Sequence, residues 1–114
     1  DSVRESDRIR LPVGDGKTSP VAVEDVARVI AAVLAVPPPH VGNTYHLTGP
    51  RSEDMHFYAR GHSEALGRTI TYEDTPVEPW RDGLLRRGLS PHLVDHLAAM
   101  ADLHRAGRYD RMSD

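Results

Sequence analysis

The chain has 114 residues, 17 Asp and Glu against 14 Lys and Arg for a net charge of −3, and no cysteine. That length suits one domain or part of one, and the acidic balance argues against a nucleic-acid surface, which needs a clustered basic patch. The absent cysteines exclude disulfides and thiolate metal sites and point to the cytoplasm.

No apolar run approaches the about 20 residues of a membrane span, and the charged residues crowding positions 1–10 exclude a signal peptide. With 39% hydrophobic and 5% aromatic residues, the chain is lean for a free-standing domain and fits a unit that packs against something else. The start at Asp1 without Met and the abrupt end at Asp114 suggest a cut piece.

In chain order, Ile9, Leu11 and Val13 alternate with Arg8, Arg10 and Pro12, as a half-buried strand should. Asp15-Gly16 is a turn signal, and an extended return over 18–23 predicts a hairpin. Pro12 and Pro20 remove ladder donors, which puts this hairpin at an edge. A helix over 24–36 follows. Val26, Val29, Ile30, Val33 and Leu34 gather on one face, with Glu24 and Asp25 in the first turn. Its thin polar stripe predicts cover on two sides, as for a helix flanking a sheet. Pro37-Pro38-Pro39 stops it.

A short strand is expected over 44–47. Ser52 is the expected N-cap of the next helix, whose inward stripe reads Met55, Tyr58, Ala59, His62 and Leu66, with Phe57 facing away. Gly67 closes that helix, and a strand over 69–72 follows. A helix begins near Pro76 and Pro79, carries Trp80, Leu84 and Leu85, and ends at Gly88. Ser90-Pro91 opens a final helix to about 106, with Leu93, Leu97, Met100 and His104 on one face. The whole is α/β, with few short strands and four main helices.

Few residues offer chemistry. Gly14-Asp15-Gly16-Lys17-Thr18 contains Gly-Lys-Thr, but a phosphate loop needs a glycine where this chain has Leu11, so the turn reading stands. His92 and His96 have the i, i+4 spacing of a metal pair, yet no third ligand shares their face, and no metal site is expected. His62 and His104 read as core histidines. Among the carboxylates Asp74 stands apart, at a strand end where ligands collect in open α/β sheets. There is no Gly-x-Ser-x-Gly elbow and no Tyr-x-x-x-Lys pair, so no catalytic centre is encoded.

Four stretches carry a resemblance. They are Leu11-Pro12-Val13-Gly14-Asp15-Gly16-Lys17-Thr18-Ser19-Pro20 with Glu24-Asp25-Val26-Ala27, and Tyr45-His46-Leu47-Thr48-Gly49-Pro50 with Ala65-Leu66-Gly67-Arg68. The others are Glu78-Pro79-Trp80-Arg81-Asp82 and His104-Arg105-Ala106-Gly107-Arg108-Tyr109. Across nearly its whole length the chain resembles the second half of the NmrA-like family, an atypical branch of the short-chain dehydrogenases, also described as NAD(P)-binding epimerase/dehydratase-like. The resemblance implies that residues 1–114 are the C-terminal, mostly helical substrate-side lobe of a Rossmann-like protein. The dinucleotide-binding half would lie outside this chain.

It further implies a parent that binds NAD(P) and a small-molecule substrate, with no cofactor held by this chain alone. Gly16, Thr18 and Ser19 in the turn, and Asp74 and Trp80, would line the substrate cleft. The family includes oxidoreductases and non-catalytic NADP(H) sensors, so turnover and sensing both stay open. A third alternative is an inactive fragment that only oligomerises. A sheet without its central strands leaves edges that recruit partners, so a homo-oligomer is expected.

Overall fold

Residues 2–113 are described by a computed structural model. Asp1 and Asp114, the ends that suggest a cut piece, lie outside the described residues. Strand β1 (Arg8–Leu11) pairs parallel with β2 (Thr71–Asp74), with Leu11 opposite Asp74. Parallel neighbours need a long crossover; here it carries helix α2 (Val23–Ala35), a 3-10 turn (Pro38–His40) and helix α3 (Met55–Leu66). A short helix α1 (Ser2–Ser6) precedes β1, and α4 (Val77–Arg86) and α5 (Pro91–Arg105) follow β2. The chain is α/β, with a mainly helical body on a two-stranded sheet.

The expected hairpin does not form. Val13 and Gly16 close a turn through a 3.2 Å bond, but Thr18 then pairs with Glu53 through two 3.0 Å backbone bonds. Pro12 and Pro20 lack the N–H groups that a ladder between these stretches would use, whereas β2 offers β1 a complete edge. The strand expected over 69–72 starts at Thr71 instead. Ser63 Oγ accepts from the Ile70 amide at 2.7 Å and donates to its carbonyl at 2.9 Å, so Ile70 is already paired before the ladder begins. Residues 44–47 form no strand: no edge lies beside them among the described residues, and all four are exposed.

Asp54, not Ser52, caps α3, accepting from the Phe57 amide at 3.0 Å. Ser52 donates to Asp110 at 2.7 Å instead. Gly67 ends α3 in the left-handed region at φ 65, where a missing Cβ removes the steric cost. Ser90 caps α5 with Pro91 at its first turn, as the sequence predicts.

Packing rotates the expected face of α5 and leaves the far end of the expected face of α3 in solvent. On α5 the buried residues are Val94, Ala98 and Ala101, while Leu93 and Met100 are exposed. The small side chains let the helix approach closely: Ala101 meets Val13, Ala59 and Tyr72 in the core, with Ile9, Leu11 and Met55 around them. On α3 only Ala59 is buried, and His62 and Leu66 are exposed. Phe57, expected to face away, is half-buried, with the Arg51 and Arg60 guanidiniums 5.7 and 5.9 Å from its ring centre. Helix α2 buries no residue; Ile30 is 53% and Leu34 70% exposed. The cover expected for its apolar face is absent among the described residues.

Candidate functional site

The carboxyl ends of two parallel strands face one edge, and the two chains leaving them meet the end of α5 there. Asp74 is the last residue of β2. Its carboxylate accepts two bonds from Arg105, at 2.6 Å from Nη2 and 3.1 Å from Nη1, and one from the Gly14 amide at 3.1 Å. Arg105 Nε also donates to the Pro12 carbonyl at 3.2 Å. The Arg105 hydrogen bond, assisted by the Gly14 amide, holds the Asp74 carboxyl below its ordinary 3.8. Such a carboxylate stays ionised and is committed to its partners, so it makes a poor general base near neutral pH.

Beneath this pair lies Tyr72, whose hydroxyl donates to the Leu11 carbonyl at 3.0 Å. Burial, with the negative charge of Asp74, pushes its pKa up to about 12. At the Gly16 turn, His104 Nε2 lies 3.0 Å from the Gly16 carbonyl. A carbonyl only accepts, so the ring carries its proton on Nε2. Gly16 fits tightly here, for a Cβ on it would stand 2.1 Å from the His104 carbonyl oxygen.

Of the residues singled out from the sequence, Gly16 and Asp74 line one polar depression of about 530 Å³, shared with Lys17 and Arg105. Thr18 and Ser19 line a different and larger cleft of about 1160 Å³. Trp80 sits half-buried on α4 and lines neither. The five therefore do not form one constellation. A third cavity, about 450 Å³ and mostly apolar, lies between β1 and α3 beside Met55 and Tyr58.

The larger cleft runs between residues 44–48 and the chain that follows α5. Its walls are tied by Ser19 Oγ donating to the Arg111 carbonyl at 2.5 Å, and by the Ser113 amide donating to Thr48 Oγ1 at 2.9 Å. Next to Thr48 the Gly49 amide donates to the Ser19 carbonyl at 3.0 Å, and a Cβ on Gly49 would stand 1.8 Å from the Pro20 carbonyl oxygen. Arg105, Arg108, Arg111 and Tyr45 were missed as site residues from the sequence. Arg105 meets its partner 31 residues away, and no local spacing signals any of the four.

The Gly14–Lys17 turn does not fit a dinucleotide's phosphates. A phosphate cradle needs free amides aimed at the anion; the Gly14 amide is spent on Asp74 and the Gly16 amide on Val13. The Asp74 carboxylate would also repel the ligand. Among the described residues no group of three His, Asp or Glu could hold a metal ion, and no helix is long and apolar enough to cross a membrane.

No family model matches the chain. It is 29% identical over 103 residues, 90% of its length, to the NAD(P)H azoreductase of Xenophilus azovorans. It superposes on the NADP(H)-complexed triphenylmethane reductase of Citrobacter sp. with a TM-score of 0.87, at 23% identity over 99% of the chain. A nucleoside-diphosphate-sugar epimerase from Staphylococcus aureus gives 0.85, at 28% identity over 98%. The fold is thus part of a Rossmann-like, NAD(P)-binding α/β architecture. The chain spans 35% of the azoreductase, 39% of the triphenylmethane reductase and 38% of the epimerase.

Proposed function

We propose that residues 1–114 are the substrate-side lobe of an NAD(P)-dependent oxidoreductase of the NmrA-like family, with the dinucleotide held by chain outside this segment. The observation that carries this reading is a pair of unfinished surfaces. Helix α2 leaves Ile30 and Leu34 in solvent, and residues 44–47 run exposed with no ladder partner among the described residues. An apolar helix face and an unpaired extended segment together are what a sheet covers. The length of the relatives supplies such a sheet, since each is more than twice as long as this chain.

In this reading the cofactor supplies the hydride and this lobe shapes the pocket for a small-molecule substrate. Titration of NADPH against the 114-residue chain and against a longer product of the same gene tests it. The longer protein binds the nucleotide and the 114-residue chain does not; tight binding by the short chain would overturn the division of labour.

A non-catalytic NADP(H) sensor is the second reading. It is favoured by the commitment of Asp74 to Arg105 and the Gly14 amide, which makes that carboxylate a poor general base. Nucleotide binding without dye or quinone reduction by the longer protein would select it. Held alone in solution, the chain covers its α2 face by self-association, so the isolated segment is a homo-oligomer.

A further inference from the structure

The segment that follows α5, residues 107–113, reaches three separate stretches of the chain, each time through a hydroxyl. Ser19 Oγ donates to the Arg111 carbonyl at 2.5 Å, and Ser52 Oγ to the Asp110 carboxylate at 2.7 Å. Thr48 Oγ1 accepts from the Ser113 amide at 2.9 Å and lies 3.0 Å from Ser113 Oγ. No residue of the segment is buried. The attachment changes in kind at Gly107, which turns into the left-handed region at φ 75. Before it, Arg105 is paired with Asp74, His104 meets the Gly16 carbonyl, and Ala101 sits in the core.

Water can replace each hydroxyl bond at small net cost, and lifting the segment exposes no buried side chain. Lifting α5 would strip Val94, Ala98 and Ala101 from their packing. Segments so differently held open separately. We propose that residues 107–113 form a strap, hinged at Gly107 and latched by Ser19, Thr48 and Ser52, that opens as one unit while α5 stays in place. Latched, it bridges the turn at Ser19 and the end of the exposed stretch 44–47. Under the reading above, chain outside this segment covers that stretch. Cover there steadies Thr48 and so favours the latched strap, which ties the turn at the carboxyl end of β1 to the presence of the dinucleotide half. This second step rests on that reading; the strap itself does not.

The test is amide hydrogen exchange of the ¹⁵N-labelled 114-residue chain. The Asp110, Arg111 and Ser113 amides should exchange at least about a hundredfold faster than those of Val94, Ala98 and Ala101, as local opening allows. Ser19→Ala and, separately, Ser52→Ala should each speed exchange of the Ser113 amide about 2- to 10-fold, the factor one net hydrogen bond is worth. Neither substitution touches the bond that amide makes to Thr48, so only opening as a unit carries the effect. The α5 amides should not change in either variant, which also reports that the fold is intact.

A Ser113 amide indifferent to both substitutions would overturn the strap, since its latches would then act singly. Strap amides as slow as those of α5 would overturn it as well. In the longer product of the same gene the three strap amides should exchange about fivefold or more slowly than in the short chain, a usual size for coupling between sites. Equal rates in a longer protein that binds NADPH would overturn the coupling and leave the division of labour standing.

Discussion

Arg105 meets Asp74, 31 residues earlier, with bonds of 2.6 and 3.1 Å, and the pair fastens three parts of the chain at one point. Asp74 ends β2 and holds the Gly14 amide, while Arg105 ends α5 and holds the Pro12 carbonyl. The last turn of α5 is thereby clamped to the turn that leaves β1. Both side chains are nearly half exposed, at 45% and 43%, so solvent screening limits what the pair contributes.

Asp74→Asn removes the charge and keeps an oxygen for the Gly14 amide. The variant should melt a few degrees below the wild type at neutral pH, with a smaller gap in high salt. The folded-state pKa of Asp74 is depressed below 3.8, so its contribution is present above the unfolded value and is lost as pH falls through the folded one. Melting curves from pH 7 into acid should show the gap closing below about pH 4. A gap that persists far into acid would mean the charge is not its source.

The glycines separate packing from flexibility. Gly16→Ala and Gly49→Ala each push a Cβ into a backbone carbonyl and should destabilise by about 1–3 kcal/mol, the usual cost of overpacking. Gly61 lies inside α3 with nothing within 4 Å of its Cβ position. Gly61→Ala should stabilise by about 0.5–1 kcal/mol from helix propensity. Urea unfolding midpoints read both signs, and a stable Gly49→Ala would refute the close approach to Pro20.

At the start of α3, Asp54→Ala should cost about 1 kcal/mol through loss of the cap to the Phe57 amide. Ser52→Ala should cost less, because its hydroxyl serves Asp110 and no helix amide. Equal losses measured by chemical denaturation would restore Ser52 as a capping residue.

Leu34 on α2 is 70% exposed. Leu34→Glu should leave the melting temperature of the isolated chain nearly unchanged, as surface substitutions do, while abolishing its self-association. Sedimentation of both forms checks this. A wild-type chain that stays monomeric would remove the case for association through α2.

One of the four tyrosines should ionise last. Tyr72, with its pKa pushed up to about 12, favours its protonated form in the fold. That contribution is intact below the unfolded value of about 10 and is lost as pH rises through the folded one. Phenolate absorbance should show a late step coinciding with alkaline unfolding, absent in Tyr72→Phe.

Much of the architecture was legible in the residues alone. Apolar spacing, Ser90-Pro91, Gly67 and Gly88 marked α2 to α5 closely, because helix bonds and caps close within a few residues of one another. Asp74 was also placed correctly at a strand end. Strand partners were not legible. Whether β1 pairs with its neighbour after the turn or with β2, some sixty residues on, depends on which edge offers unspent amides, and Pro12 and Pro20 decided against the nearer one. The buried face of α5 depended on how closely Ala98 and Ala101 let it approach, which only packing reveals.

The site divides in the same way. The family resemblance brought out Gly16, Thr18, Ser19 and Trp80, and a strand-end position brought out Asp74, but their distribution over separate surfaces followed from long-range contacts. Arg105, Arg108 and Arg111 sit three residues apart in a polar stretch with no spacing signal. That Arg105 is neutralised by Asp74 while the other two guanidiniums have no partner among the described residues is a property of the tertiary structure, because a charge finds its partner through space and sequence distance does not limit which partner that is.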